Sequence, residues 1–496
     1  MNFHTAIAAQ AQQAQISNME MPDKMDWIGR KVLILGAARQ GTALARYLVQ
    51  HGARVILNDK RSEDELQAAR QSLSDLESGT DRSLEWVLGG HPSEVLDGID
   101  LVCVSGGVPL SLPLVIEARE RGIPLSNDSQ IFLDAAPCQV IGITGSAGKT
   151  TTTSLVGHIA QTAQPLLTYG EDRQVWVGGN IGKPLISVVD QMDAEDLAVM
   201  EISSFQLELM TRSPHVAAVL NVTPNHLDRH GTMEAYTAVK ARILDFQMPE
   251  DVGVLGRDDP GAWDLVSHIR GELISFGLEP PSGGNGTFIK DNQLFYRSGE
   301  VDTWIMSQDS IRLRGEHNLR NVLAACAIAG AIGISAEAMR MAVEAFVAIP
   351  HRLEYVRSWG GADWYNDSIA TAPERAMAAI QSFDRPLLLL AGGRDKDLPW
   401  DDFARLVVQR VDHVIAFGEA ATKIIDALER NSTISQPHSK RPSITSCGNL
   451  RQAVDQAAQI VKPGEVVLLS PGGTSYDEFR DFEERGECFK QQVMKL

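Results

Sequence analysis

Short apolar runs alternate along this chain with longer stretches whose apolar positions recur at helical spacing, and the alternation predicts three successive α/β units. The first reads as a strand over 32–35, a turn, a helix over 41–50 and a strand over 54–57, with a further strand over 101–104. The second opens with a strand over 139–143 and a helix over 151–160. Strands over 197–202 and 216–222, a helix over 233–246, a β-rich patch over 253–313 and helices over 318–331 and 336–347 follow. The third carries strands at 363–366, 387–390, 413–417 and 466–469, with helices between them. Residues 280–286 read as a surface turn, and Phe479, Phe482 and Phe489 as a packing stripe near a closing helix.

Composition narrows the class. At 496 residues the chain exceeds what one core usually holds, and 44% hydrophobic with 22% charged residues is an ordinary globular balance. The net charge of −19 argues against nucleic acid as the main partner. Five cysteines without paired spacing point to reduced thiols in a cytosol. No apolar run approaches the roughly 20 residues of a membrane helix. Residues 1–26 lack a basic start followed by an apolar core, so they are expected to form a poorly ordered extension rather than a secretory signal. Met19, Met21 and Met25 leave a later translation start open.

The chemistry begins at GITGSAGKTTT, residues 142–152, between the predicted strand and helix. Glycines let backbone N–H groups close around phosphate oxygens, and the helix N-terminus adds its positive end. Lys149 suits the β- and γ-phosphates and Thr150 suits Mg²⁺. The domains are accordingly expected as a Rossmann-like unit over 27–137, a P-loop mononucleotide-binding unit with a mostly parallel sheet over 138–349, and a Rossmann-like α/β unit over 350–496.

Glu201 ends a strand beside this loop, where a Mg²⁺ ligand belongs; the competing reading is a capping or solvated acid. His226 and His230 have zinc spacing, but no glutamate base and no helix context accompany them, so Mg²⁺ or substrate suits His226 better and a structural role suits His230. Lys240, on pattern alone, is an exposed helical lysine. Asn318 suits a helix cap. Arg352 follows a domain boundary, a natural place for a group that meets phosphate when domains close. The turn 36–41 followed by Asp59 looks like half of a dinucleotide fingerprint without its middle glycine; a tight turn and a ligand contact are equally good readings. Polar strand ends at 366–371, 392–396 and 470–475 define one rim of the third sheet.

Taken together, the runs GITGSAGKTTT, GGNIGKP, EISSFQLE, NVTPNHLDRHG, GEHNLRNVLAA, PHRLE, YNDSIAT, GGRDKD and LSPGGTSYDEFRDFEERG resemble the Mur ligases of peptidoglycan synthesis, over about residues 29–496. The last run points to the branch that adds D-glutamate. The resemblance implies an ATP-dependent amide ligase that adds D-glutamate to UDP-N-acetylmuramoyl-L-alanine through an acyl phosphate, releasing ADP and phosphate. It implies a cytoplasmic monomer with no nucleic-acid or membrane partner and two Mg²⁺ sites.

The resemblance also implies roles. Gly145, Ser146, Ala147, Gly148, Lys149, Thr150 and Thr151 would hold ATP phosphates. Thr150 and Glu201 would hold one Mg²⁺, and His226 with a carbamoylated Lys240 the other. His317, Asn318 and Asn321 match the adenosine side, and Arg352 and Asp367 the phosphate and ribose contacts. Gly36, Arg39, Gly41, Asp59, Arg61, Ser105, Asn180 and His226 match the UDP-substrate site. Thr371, Lys396, Ser475, Tyr476 and Phe482 match the glutamate site.

The chain departs from the family pattern at three places. Ala147 replaces an Asn, Gly106 a Pro, and Ile369 stands where many D-glutamate ligases carry Lys. The alternatives are an L-glutamate-adding relative, or another Mur-type or folylpolyglutamate-type ligase. A nicotinamide dehydrogenase would leave the phosphate loop idle, and a P-loop switch would not need two carboxylate and amine substrates.

Overall fold

A computed structural model of the protein describes residues 26–77, 83–163, 173–224, 227–313, 315–346, 350–383, 385–395, 398–432 and 441–496. Of the expected extension, all but Asp26 lies outside the described residues.

Three α/β sheets are present among the described residues, as the alternation predicts. The first is all parallel, in the order Leu84–Leu88, Arg54–Asp59, Lys31–Leu35, Leu101–Val104, Leu125–Ser126. Lys31–Leu35 lies between Arg54–Asp59 and Leu101–Val104, so the strand order reverses there and a crevice opens at its C-terminal end, the place where open sheets bind ligands.

The central sheet has nine strands. Its core strand Gln139–Thr144 lies between Leu197–Glu201 and Val216–Val219, again a switch point. The strands Val175–Gly179, Val252–Gly256, Glu272–Phe276 and Asn285–Lys290 extend it in parallel, and Gln293–Ser298 and Val301–Ser307 close one edge in antiparallel pairing. The predicted turn 280–286 thus ends early, because Asn285 already pairs with Ile274. The predicted strand 216–222 stops at Val219, because the chain beyond it turns across the phosphate loop.

One buried cluster joins these two sheets. It runs from Val32, Leu48 and Phe132 of the first unit through Leu185, Ile186 and Val189 to Met200, Ile202 and Leu244 of the second.

The C-terminal unit carries a six-stranded sheet, with Glu354–Trp359 antiparallel at one edge and Ala362–Asn366, Val466–Gly472, Leu387–Gly392, His413–Phe417 and Ser443–Cys447 in parallel. Its closing helix is Phe482–Lys495. Phe489 is fully buried on one face of the sheet and Phe479 packs against the same cluster. Phe482, the third of the predicted stripe, stands instead at the first helical position, half-buried, with its ring centroid 6.2 Å from that of His351 and the rings nearly perpendicular.

Candidate active site

The phosphate loop occupies residues 145–148, between the strand Gln139–Thr144 and the helix Lys149–Ala163. It is clamped on the side of the neighbouring strand end. Asn221 does most of this: its carbonyl accepts the Ser146 N–H at 3.0 Å and its Oδ1 accepts the Ala147 N–H at 2.8 Å. The Ser146 hydroxyl donates to the Thr223 carbonyl at 2.8 Å and lies 3.1 Å from the Tyr236 hydroxyl. Lys149 Nζ folds back to the Gly145 carbonyl at 2.7 Å. Thr151 is buried behind it.

Gly148 has φ +83°, and a Cβ there would stand 2.3 Å from Asn321 Oδ1. Asn321, on the helix Glu316–Ala331, also lies 3.5 Å from Thr152 Oγ1 and donates to Asn318 Oδ1 at 3.1 Å. Gly148→Ala combines a left-handed backbone with that collision, so it is expected to cost about 1–3 kcal/mol of stability. An unshifted melting temperature would show that Asn321 yields freely. His317 is exposed and Asn318 half-buried.

Glu201 is buried at the end of its strand. Its two oxygens are both used: Oε2 accepts from Thr150 Oγ1 at 2.8 Å and Oε1 from Asn180 Nδ2 at 2.7 Å. The capping role weighed for it belongs instead to Ser203, which caps the next helix in a reciprocal pair with Gln206.

Lys240 overturns its pattern reading as an exposed helical lysine, being only 1% exposed. It sits 3.4 Å from Thr144 Oγ1, over the Tyr236 ring at 4.8 Å. Burial, and then the neighbouring Lys149 charge, holds its pKa well below the ordinary lysine value. The site therefore disfavours the ammonium form. His230 pairs with Glu208 at 3.4 Å and stacks on Phe205, in keeping with its structural reading.

In the first unit, Gly36 takes φ +99°, and a Cβ on Gly41 would stand 1.9 Å from the Gly36 carbonyl. Both glycines are thus required by the turn itself. Ser105 Oγ donates to the same carbonyl at 3.1 Å. Asp59 accepts the Ala37 N–H at 2.8 Å and is gripped by Arg61 at 3.0 and 2.7 Å. Burial raises its pKa, but these hydrogen bonds outweigh it and hold the carboxyl at about 2. Arg39 reaches the Asn180 carbonyl at 3.2 Å, linking the turn to the loop beside Glu201.

In the C-terminal unit, Asp367 is buried, accepting from Ser470 Oγ at 2.8 Å and from the Leu353 N–H at 3.2 Å. Burial pushes its pKa to about 7 against the opposing pull of Ser470 and the Arg352 charge. Arg352 is half-buried beside it, on the turn preceding the strand Glu354–Trp359. Ser475 is buried, Thr371 half-buried and Tyr476 exposed.

Comparison with known proteins bears on this geometry. Three family descriptions match in order: the Mur ligase MurD-like N-terminal domain over 30–127, the Mur ligase middle domain over 143–329, and the Mur ligase glutamate ligase domain over 351–473. The UDP-N-acetylmuramoylalanine–D-glutamate ligase of Symbiobacterium thermophilum is 40% identical over 467 residues, 94% of this chain and 98% of the relative. The ligase of the same name from Koribacter versatilis is 36% identical over 95% of this chain and 99% of its own. The chain belongs to the Mur ligase family.

Solved structures agree on the fold of this Mur ligase. UDP-N-acetylmuramate-alanine ligase from Thermotoga maritima, 17% identical, matches over 94% of this chain and 99% of its own with a TM-score of 0.54. MurF from Acinetobacter baumannii, 17% identical, matches over 98% of each with a TM-score of 0.54.

Within the Mur ligase, the geometry brings Lys149, Thr150, Glu201, Asn180 and Lys240 to one pair of strand ends. His226 and Lys396 lie outside the described residues. Two residues escape the sequence reading. Asn221, the clamp of the phosphate loop, sat in a quoted run without a role. Arg485, 0% exposed, donates to Ser368 Oγ and O at 2.9 and 2.8 Å and to the Gly473 carbonyl at 3.0 Å, tying two rim loops together. Its signal was an arginine among the charges of the closing helix, which pattern alone assigns to solvent.

Proposed function

We propose that this Mur ligase joins D-glutamate to UDP-N-acetylmuramoyl-L-alanine, converting ATP to ADP and phosphate, and that the residues gathered at the phosphate loop carry the first step. The observation that carries the reading is 40% identity over 94% of the chain to a ligase of that name, in a chain whose phosphate loop ends against Glu201 and a buried Lys240.

A carboxylate and an amine do not condense in water. The alanyl carboxylate attacks the γ-phosphorus of ATP to give an acyl phosphate and ADP; the glutamate amine then attacks the acyl carbon, and phosphate leaves. Positioning and charge neutralisation carry both steps. Lys149 binds the β- and γ-phosphates, with residues Gly145 to Thr151 wrapped around them and the Ser146 and Ala147 N–H groups held by Asn221 to shape the loop. Arg352 neutralises phosphate charge from the C-terminal unit, and Asp367 orients the ribose. His317, Asn318 and Asn321 face the adenosine. Gly36, Arg39, Gly41, Asp59, Arg61, Ser105 and Asn180 seat the UDP-substrate; Thr371, Lys396, Ser475, Tyr476 and Phe482 seat the amino acid.

Mg²⁺ fits the donor set, because a buried carboxylate and a hydroxyl 2.8 Å apart are hard oxygen ligands. Among the described residues no cluster of three or more His, Cys, Asp or Glu could enclose a metal, which suits an ion held mainly by phosphates and water. Thr150 and Glu201 would hold one ion, and His226 with Lys240 as its carbamate the second. Bound there, Mg²⁺ supplies neutralisation of the phosphoryl charge.

The reading includes domains at 27–137, 138–349 and 350–496 and a monomer working in the cytoplasm without nucleic-acid or membrane partners. The net charge of −19 supports the first exclusion. No helix among the described residues is long and apolar enough to cross a membrane.

Phosphate release in the presence of ATP, Mg²⁺ and UDP-N-acetylmuramoyl-L-alanine, with D- or L-glutamate added in parallel, tests the function. Turnover with D-glutamate alone is expected despite Ile369. Turnover with L-glutamate alone, or with neither, refutes the reading. Arg352→Ala is expected to lower kcat about 100-fold with little change in the KM of the UDP-substrate. A loss confined to that KM would move Arg352 to another site.

A further inference from the structure

Arg352 stands on a turn whose backbone is strained on both sides. His351 has φ +65° and Leu353 φ +44°, both in the left-handed region and neither glycine. Such conformations are costly for residues with a Cβ and persist only where the surroundings enforce them.

Two carboxylates enforce the turn: Asp367 accepts the Leu353 N–H at 3.2 Å on its far side, and Glu354 gathers the contacts on its near side. Glu354 Oε2 accepts the His351 N–H at 2.8 Å and Asn366 Nδ2 at 2.9 Å, while Oε1 accepts Lys490 Nζ at 3.0 Å. The Asn366 amide also donates to His351 Nδ1 at 3.0 Å, and its own oxygen accepts the Ser368 N–H at 3.1 Å. The Ile369 N–H reaches the His351 carbonyl at 3.1 Å. From the opposite side the closing helix presents Gly486, where a Cβ would stand 2.0 Å from His351 Nδ1. A glycine inside a helix is destabilising relative to alanine. Here it provides the space in which the buried His351 ring sits.

We infer that Glu354 is the positioning residue for Arg352. It holds the turn's first residue by its backbone and Asn366 by its side chain, and so fixes the direction in which the guanidinium leaves the turn. The bland alternative, a surface ion pair with Lys490, accounts for only one of its three hydrogen bonds. The inference rests on the phosphate-neutralising reading of Arg352 given above. Gly486 serves the same end by admitting His351.

Steady-state kinetics of the full chain with ATP, D-glutamate and the UDP-substrate test this. Glu354→Ala is expected to lower kcat about 100-fold, as for a group displaced by about an ångström, with the KM of the UDP-substrate changed less than about threefold. Gly486→Ala, normally a helix-stabilising change, is expected to lower kcat in the same manner. Glu354→Gln keeps an acceptor for His351 and Asn366 but turns an amide N–H₂ toward Lys490. The double variant E354Q/K490M removes that clash and is expected to recover most of the lost kcat. Such recovery distinguishes positioning of the turn from general destabilisation.

Unchanged kcat in Glu354→Ala, a loss carried by the KM of the UDP-substrate, or no recovery in E354Q/K490M overturns the inference. Arg352→Ala serves as the reference. If it is impaired while Glu354→Ala is not, the positioning role alone fails. If Arg352→Ala is itself unimpaired, the reading of Arg352 fails and takes the inference with it.

Discussion

Lys240→Ala is expected to lower kcat at least about 1,000-fold, roughly 4 kcal/mol of barrier. The side chain is buried against Thr144 and Tyr236 with the Lys149 charge nearby, an environment that disfavours an ammonium. Only the neutral amine adds CO₂, and the resulting carbamate turns a group that would repel a cation into one that binds it. Added short-chain carboxylates are expected to restore part of the activity of Lys240→Ala, because they supply the missing oxygens in the space vacated. Full activity without the lysine would refute the carbamate role.

Stability is expected to move the other way. Lys240→Met replaces a desolvated amine with an apolar chain of similar shape, so in CO₂-depleted buffer the melting temperature is expected to rise by about 2 °C or more. The pH dependence fixes the sign. Unfolded, the lysine keeps its proton to its ordinary value of 10.5, whereas the buried one releases it at lower pH. The unfolded state therefore binds more protons between those two values, and stability rises with pH across that window. Lys240→Met is expected to flatten the rise. A slope identical in both proteins would mean that the buried amine does not titrate as placed.

Glu201→Gln is expected to lower kcat by about 100- to 1,000-fold and to raise the Mg²⁺ requirement about tenfold. Glu201 serves as a double acceptor for Thr150 and Asn180. Glutamine offers one acceptor and one donor, so its N–H₂ must meet either the Thr150 hydroxyl, which can rotate to accept, or the Asn180 amide, which cannot as presented. The Thr150 hydroxyl then directs its proton away from residue 201, and the carboxylate charge is lost with it. A Mg²⁺ titration unchanged from the parent would assign the carboxylate a purely structural role.

Much of this was legible in the chain. The core strands Gln139–Thr144 and Leu197–Glu201, buried on both faces, read as apolar runs within a residue of their true ends. The strands the pattern did not show are Leu84–Leu88, Leu125–Ser126, Val175–Gly179, Glu354–Trp359 and Ser443–Cys447, and each lies at an edge of its sheet. An edge strand exposes part of its surface, so polar residues interrupt it and the apolar run disappears.

The site divides in the same way. Lys149, Thr150 and Glu201 announce themselves because a strand end and a glycine loop bracket them. Lys240 does not, because a lysine on a helix looks solvated until the tertiary structure turns that face inward. Arg485 hid for the same reason. What periodicity cannot show is which face of a helix the rest of the chain will cover.

The cluster that joins the first two sheets has a consequence for anyone recombining these ligases. Because Leu48 and Phe132 share a core with Leu185, Ile186 and Val189, the first unit is no detachable cassette. A chimaera that swaps residues 27–137 for those of a relative inherits one side of a jigsaw, and will fold only if the facing loop is transplanted with it. Over evolutionary time the inner face of the first unit and the packing beneath the central sheet are bound to drift together.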